Sequence, residues 1–192
     1  AIARPTVALV NNAQREHQEF FASAEATARE NGAVIEALPI GGVAVFPAAD
    51  ACAPLWRRLA GTHRVLNFAL QGEATITAQI EVAAGGRTTL SIATPEGVID
   101  VELACSGQHM AHNALAATAC ALAVNTAPRF IAAGLAAFRP VAGRGVQTHL
   151  ASGALLIDDT YNANPDSVRA AIDLLMSAAA PSVLVLGDMG EV

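Results

Sequence analysis

The sequence predicts an α/β fold: a parallel sheet covered on both faces, an antiparallel β section, and then the start of a second βαβ unit. Three observations carry this. Apolar runs alternate with helical patterns from Thr6 to Leu70, and polar–apolar alternation replaces them from Ala74 to Leu103. A proline- and glycine-containing stretch, Arg139–Gly145, then separates a further strand–helix pattern. Of 192 residues, 53% are hydrophobic and only 15% charged, which supplies a core and excludes a disordered chain.

Each element follows from its residues. Thr6–Ala13 (TVALVNNA) is a buried strand that runs into a polar corner. Gln18–Asn31 has a helical pattern with Phe20, Phe21, Ala24 and Ala28 on one side, and Gly32 is placed to close it. Gly42–Ala48 is a second strand, Pro54–Gly61 a short helix ending at glycine, and Arg64–Leu70 a third strand. Strands this apolar throughout belong to a parallel sheet with both faces covered. In Ala74–Leu103 the turn signals Gly85-Gly86 and Pro95-Glu96-Gly97 punctuate antiparallel strands. A helix over Met110–Val124 follows, with Leu115, Thr118, Ala119 and Leu122 on its buried face, then a shorter one over Arg129–Phe138. These elements place a first domain at 1–138, a linker at 139–145 and a second domain at 146–192. In the second, Gly153–Asp159 and Pro181–Asp188 are strands flanking a helix over Pro165–Ala180, buried through Val168, Ala171, Ile172 and Leu175.

Charge and composition exclude several classes. The net charge of −6 and the lack of any basic stripe argue against a nucleic-acid surface. The longest apolar run, Ala114–Val124, is too short to insert in a membrane, and no secretory signal pattern opens the chain. Cys52, Cys105 and Cys120 lack metal spacing and are expected as reduced core thiols of a cytoplasmic protein. All 11 cationic side chains are arginine, so the chain contains no phosphate-loop GxxxxGK[ST] motif.

Polar residues concentrate at strand-to-helix corners. In Leu156–Leu175, Asn164 is placed to cap a helix and Pro165 to open it. Asp158, Asp159, Tyr161 and Asn162 remain at the carboxyl end of a strand, where ligands bind in open α/β sheets. A capped loop with solvated carboxylates accounts for them about as well on physics alone. Asn11–His17 (NNAQREH) puts two amides and an imidazole past the first strand, where the histidine serves either as a helix-start hydrogen-bonder or as a metal ligand. His109, His112 and Asn113 come together at a helix start, but no cysteine or carboxylate completes a zinc set there. Arg144 lies in the linker, and Asp188 and Glu191 at another strand end.

Taken in order, NNAQREH, the HNALAA helix, AGR, DDTYNANPDS and GDMGE resemble the Mur ligases along essentially the whole chain. The DDTYNAN corner followed by GDM is similar to the member that joins D-alanyl-D-alanine to UDP-N-acetylmuramoyl-tripeptide. HNALAA alone indicates only the wider superfamily, which includes folylpolyglutamate synthetases. The resemblance implies the second half of a central ATP-binding domain and the start of a Rossmann-like C-terminal domain. It implies a cytoplasmic, ATP-dependent C–N ligase of peptidoglycan precursor synthesis that works through an acyl phosphate. ATP and Mg2+ are the implied cofactors, and the two peptides above the implied partners. By position, His17 matches the family's magnesium ligand, Asn113 its adenine contact, Arg144 its linker arginine and Asp159 its ribose ligand. Tyr161, Asn162 and Asn164 fall on the loop that approaches the acyl-transfer centre, and no residue is matched to a catalytic role.

The chain departs from that pattern in three places. Met110 replaces the first asparagine of a family helix reading HNxxN, and Asn31 stands where many relatives carry a lysine. The phosphate loop and a family glutamate would precede Ala1, so the sequence is expected to be a piece of a longer protein. The rivals are another superfamily ligase, such as one extending folate, and a non-catalytic nucleotide-binding or interaction module. Phosphoryl transfer depends on positioning and charge neutralisation at the β- and γ-phosphates, and the residues named here address metal, base and ribose. A polypeptide of these 192 residues should therefore show no ligase or ATPase activity. It should bind magnesium-ATP no tighter than roughly millimolar, about −4 kcal/mol. Calorimetric titration checks this, and micromolar binding would contradict it.

Overall fold

The computed structural model describes residues 3–13, 23–82, 88–104, 107–176 and 180–189. Strand β2 (Val43–Pro47) is buried along its whole length, and it sets the layout. Successive strand residues face opposite ways. Val43 and Val45 enter one core cluster, with α3 (Gln108–Ala123) and the later strands; Ala44 and Phe46 enter another, with α1 (Ala24–Glu36) and α2 (Ala53–Ala60). On either side of β2 run β1 (Val7–Leu9) and β3 (Arg64–Ala69), both parallel to it.

The sheet continues in sequence order through β4 (Ile76–Val82), β5 (Thr88–Thr94) and β6 (Gly97–Leu103). Strand β4 is parallel to β3 but pairs with it only at Phe68–Ile76 and Ala69–Thr77. A parallel partner ordinarily needs a long crossover. Here β4 begins beside the end of β3 and runs past it, so a short loop suffices. Asn67 holds that loop by accepting from the Thr75 amide (2.9 Å) and hydroxyl (2.7 Å). Strands β4 to β6 are antiparallel, as the alternation predicts, and Pro95-Glu96 turn the β5–β6 hairpin. Helix α4 (Pro128–Ala137) packs against β6.

The structure corrects the sequence reading at several points. Gly32 does not end the first helix but lies inside α1, which Ser23 caps through its Oγ (3.2 Å to the Ala26 amide). A Cβ at Gly32 would sit 2.5 Å from Leu59 Cδ1 and 3.2 Å from Trp56 Cδ1, so the glycine permits close approach of α1 and α2. Of the expected buried side, Ala28 is buried, Ala24 is exposed, and Phe20 and Phe21 lie outside the described residues.

The remaining corrections concern the C-terminal residues. Here β7 (Val146–His149), absent from the sequence reading, pairs antiparallel with β8 (Leu155–Asp158), and α5 (Pro165–Met176) follows. Pro181–Asp188, expected as a strand, forms none; Val183 and Val185 are 80% and 91% exposed. A strand exists only against a partner, and β8 is paired with β7 alone among the described residues. No residue of α5 is buried, against the expected face, because a two-stranded ribbon offers too little surface to cover a helix.

Cys52 and Cys120 are free and half-buried, and burial pushes both thiols up in pKa; Cys105 lies outside the described residues. Among the described residues no helix is long and apolar enough to cross a membrane.

The chain's one tryptophan ties the first layer together. Trp56 is fully buried, donates from Nε1 to the Ala28 carbonyl (2.9 Å) and packs on Phe46 with ring centroids 6.1 Å apart. Trp56→Ala should cost about 3–5 kcal/mol, measurable by urea unfolding followed by circular dichroism. A cost below about 1 kcal/mol would mean that α2 is not anchored there.

Candidate functional site

Because β1, β2 and β3 are parallel, their carboxyl ends lie at one edge of the sheet. Asn11 and Asn12 follow β1, Asp50 follows β2, and Gln71 follows β3, and all four line a cleft of about 790 Å³. That volume lies within the range of small-molecule sites, and the position is the one α/β sheets use. The first turns of α3 bring His109, Met110, His112 and Asn113 to the same space. Across from them stand Arg144, Asp159 and Asn162, with the start of α5.

Local geometry explains the α3 side. Gly107 turns the chain into the helix at φ +107°, and a Cβ there would lie 2.7 Å from the His109 ring, so only glycine fits under it. His112 sits with Nε2 3.2 Å from the Asn11 carbonyl and its ring edge-on to Phe68 at 4.9 Å. The imidazole thus ties the helix to the end of β1. Among the described residues no group of three His, Cys, Asp or Glu side chains is placed to hold a metal ion. Asn11 also donates from Nδ2 to Asn113 Oδ1 at 2.9 Å, which orients the second amide. Its own Oδ1 is buried without a hydrogen-bond partner. An unpaired buried acceptor costs about 1–3 kcal/mol, and such atoms mark places where a ligand or water completes a site.

On the opposite side the polar corner divides. Asp158 Oδ1 accepts from the Thr160 hydroxyl (2.7 Å) and amide (3.3 Å). Asn164 caps α5, accepting from the amides of Asp166 (3.0 Å) and Ser167 (2.8 Å), while Ser167 Oγ accepts from the Asn164 amide (2.9 Å). Asn162 Oδ1 accepts locally from the Ala163 amide (2.8 Å), with the residue at the cleft wall. Tyr161 does not line the cleft; its ring lies under Arg144.

Of the residues singled out by sequence, the cleft gathers Asn11, Asn12, His109, His112, Asn113, Arg144, Asp159 and Asn162. Asn164 is a helix cap beside it, and Asp188 is exposed in the 180–189 stretch, which forms no strand. His17 and Glu191 lie outside the described residues. Asn31 reaches the Asn12 carbonyl at 3.5 Å and lines a smaller hollow of about 260 Å³ with Asn11 and Asn12. Asp50 and Gln71 were missed. The carboxyl-end rule applied to the second and third strands would have found both.

His109 faces the cleft between these walls. Desolvation there pushes its pKa below the ordinary histidine value, and the Asp159 carboxylate pulls it the other way.

Comparison with known proteins follows this geometry. The Mur ligase middle domain family matches residues 1–121. The chain is 38% identical over its whole length to the UDP-N-acetylmuramoyl-tripeptide–D-alanyl-D-alanine ligase of Escherichia coli K12, covering 42% of that protein. It is similar to the crystal structure of MurF from Acinetobacter baumannii, with TM-score 0.92 and 32% identity over 99% of this chain and 41% of that one. A Thermotoga maritima MurF ligase in complex with ADP shares the fold at TM-score 0.79 and 23% identity, over 91% of this chain and 40% of that one. The chain thus spans about two fifths of the length of the relatives it matches.

The influence of the Asp159 charge on His109 across the cleft is testable. Folded His109 takes up its proton less readily than the unfolded chain, whose histidines titrate near about 6.5. Stability from the neutral ring is therefore complete above that value and is lost as pH falls through the lowered folded pKa. Asp159→Asn removes the opposing charge, so the His109 pKa should fall further in an NMR titration. A rise, or no change, would show that the two walls do not face each other.

Proposed function

The chain belongs to the Mur ligase family, and from that premise we propose that it forms the nucleotide-facing part of an enzyme joining D-alanyl-D-alanine to UDP-N-acetylmuramoyl-tripeptide. The whole-chain likeness to a ligase of that name supports the choice of substrates. One observation carries the ATP side: a single cleft gathers Asn113, Arg144 and Asp159 from three separated segments. Their chemistry suits a nucleoside triphosphate. A carboxamide pairs with a base edge, a carboxylate accepts from ribose hydroxyls, and a guanidinium answers phosphate charge. The division into 1–138, a linker at 139–145 and 146–192 belongs to the same proposal, as does a cytoplasmic setting.

In the proposed reaction a tripeptide carboxylate oxygen attacks the γ-phosphorus of ATP, the bond to ADP breaks, and an acyl phosphate forms. The dipeptide amine then attacks the acyl carbon, phosphate leaves, and the nitrogen loses a proton. His17, outside the described residues, is proposed to hold magnesium, which neutralises phosphoryl charge when bound. Within the cleft, Asn11 holds the Asn113 amide in place and Asp159 fixes the ribose, so the triphosphate is directed along the sheet edge. Asn162, and Asn164 through the α5 cap, shape the loop on the acyl-transfer side.

In the full-length ligase, Asp159→Ala should raise the KM for ATP tenfold or more, since a hydrogen bond to a charged group is worth about 1.5–3 kcal/mol. The KM for D-alanyl-D-alanine should stay put. Steady-state kinetics with each substrate varied in turn reads both, and an unchanged KM for ATP would sink the assignment.

A further inference from the structure

We propose that Tyr161 is a positioning residue for Arg144: its ring holds the guanidinium at the cleft wall, so that the arginine meets the nucleotide already oriented. The inference rests on the ATP-site reading above and departs from the expectation that Tyr161 serves the acyl-transfer side.

The geometry is specific. Arg144 Cζ lies 3.9 Å from the centroid of the Tyr161 ring, over its face. A guanidinium on an aromatic face keeps its N–H donors at its edges, available to phosphate oxygens. Arg144 lines the cleft and Tyr161 does not, so the ring backs the arginine and leaves the ligand space open.

The core does not hold that ring, for Tyr161 is 66% exposed. What holds it is the linker. The Tyr161 amide donates to the Gly143 carbonyl at 3.0 Å, and the Arg144 amide donates to the Val141 carbonyl at 3.1 Å. Gly143 is buried with φ +76°, and a Cβ there would meet the Tyr161 nitrogen at 3.1 Å and Thr160 Oγ1 at 3.3 Å. Glycine is what lets the linker touch this loop. The loop is braced in turn by the bonds from Thr160 to Asp158. Asp159 lies in the same braced segment, so the stack joins Arg144 and Asp159 into one wall. An arginine left free in solvent samples many rotamers, and ordering it on binding weakens affinity. The ring removes part of that freedom beforehand.

The test is a double-mutant cycle in the full-length ligase, with the KM for ATP and for D-alanyl-D-alanine measured for each variant. Tyr161→Leu should raise the KM for ATP about two- to fivefold, the size expected of an exposed cation–π contact, without moving that for the dipeptide. Tyr161→Phe, which keeps the aromatic face, should restore it. In an Arg144→Ala background, Tyr161→Leu should have no further effect. Additive effects in the double variant, or a change confined to the dipeptide KM, would overturn the proposal. So would a raised KM for ATP in Arg144→Ala with none in Tyr161→Leu. If Arg144→Ala itself leaves the KM for ATP unchanged, the underlying ATP-site reading fails, and the positioning role with it.

Discussion

The parallel alignment of β1, β2 and β3 is the constraint on which the rest depends. Strand β2 is buried along its length because both of its faces are covered, and parallel pairing then brings all three carboxyl ends to one edge. The ladder continues past β1, where the Val10 amide donates to the Val45 carbonyl at 2.9 Å, and this delivers Asn11 to the cleft floor. From there one asparagine reaches two partners on α3: its side chain holds Asn113 and its carbonyl meets His112. Without the parallel core these residues would have no reason to meet.

The polar corner between β8 and α5 illustrates how one dense stretch divides its labour. Asp158 and Asn164 are engaged by nearby backbone and hydroxyl groups, and Tyr161 by the linker. Asp159 and Asn162 remain at the cleft wall. The loop thus spends more than half of its polar side chains on shaping itself. Such bracing matters on a surface where no residue of α5 is fully buried and a two-stranded ribbon is the only sheet among the described C-terminal residues.

Much of this was legible in the sequence, for identifiable reasons. Apolar runs marked β2 and β3, alternation marked β5 and β6, and the face of α3 was correctly read as Leu115, Thr118, Ala119 and Leu122. Gly32 misled because a glycine that ends a helix and one that admits a neighbouring helix look alike until Trp56 and Leu59 are in place. The stretch at 181–188 misled because β propensity says nothing about whether a partner strand exists. At the site, motif order named Asn113, Arg144 and Asp159. The Asn11–Asn113 bond spans 102 positions, and no local pattern reports a contact of that separation.

Fold likeness alone does not choose a substrate. What the ATP-site reading turns on is where the nucleotide lies and which residues hold it. A crystal structure of the full-length ligase with magnesium-ADP addresses this most directly. The account predicts the adenine edge within hydrogen-bonding distance of Asn113 and the ribose hydroxyls on Asp159, inside the cleft at the ends of β1 to β3. Density for the nucleotide away from that edge, with Asn113 and Asp159 both unengaged, would contradict it.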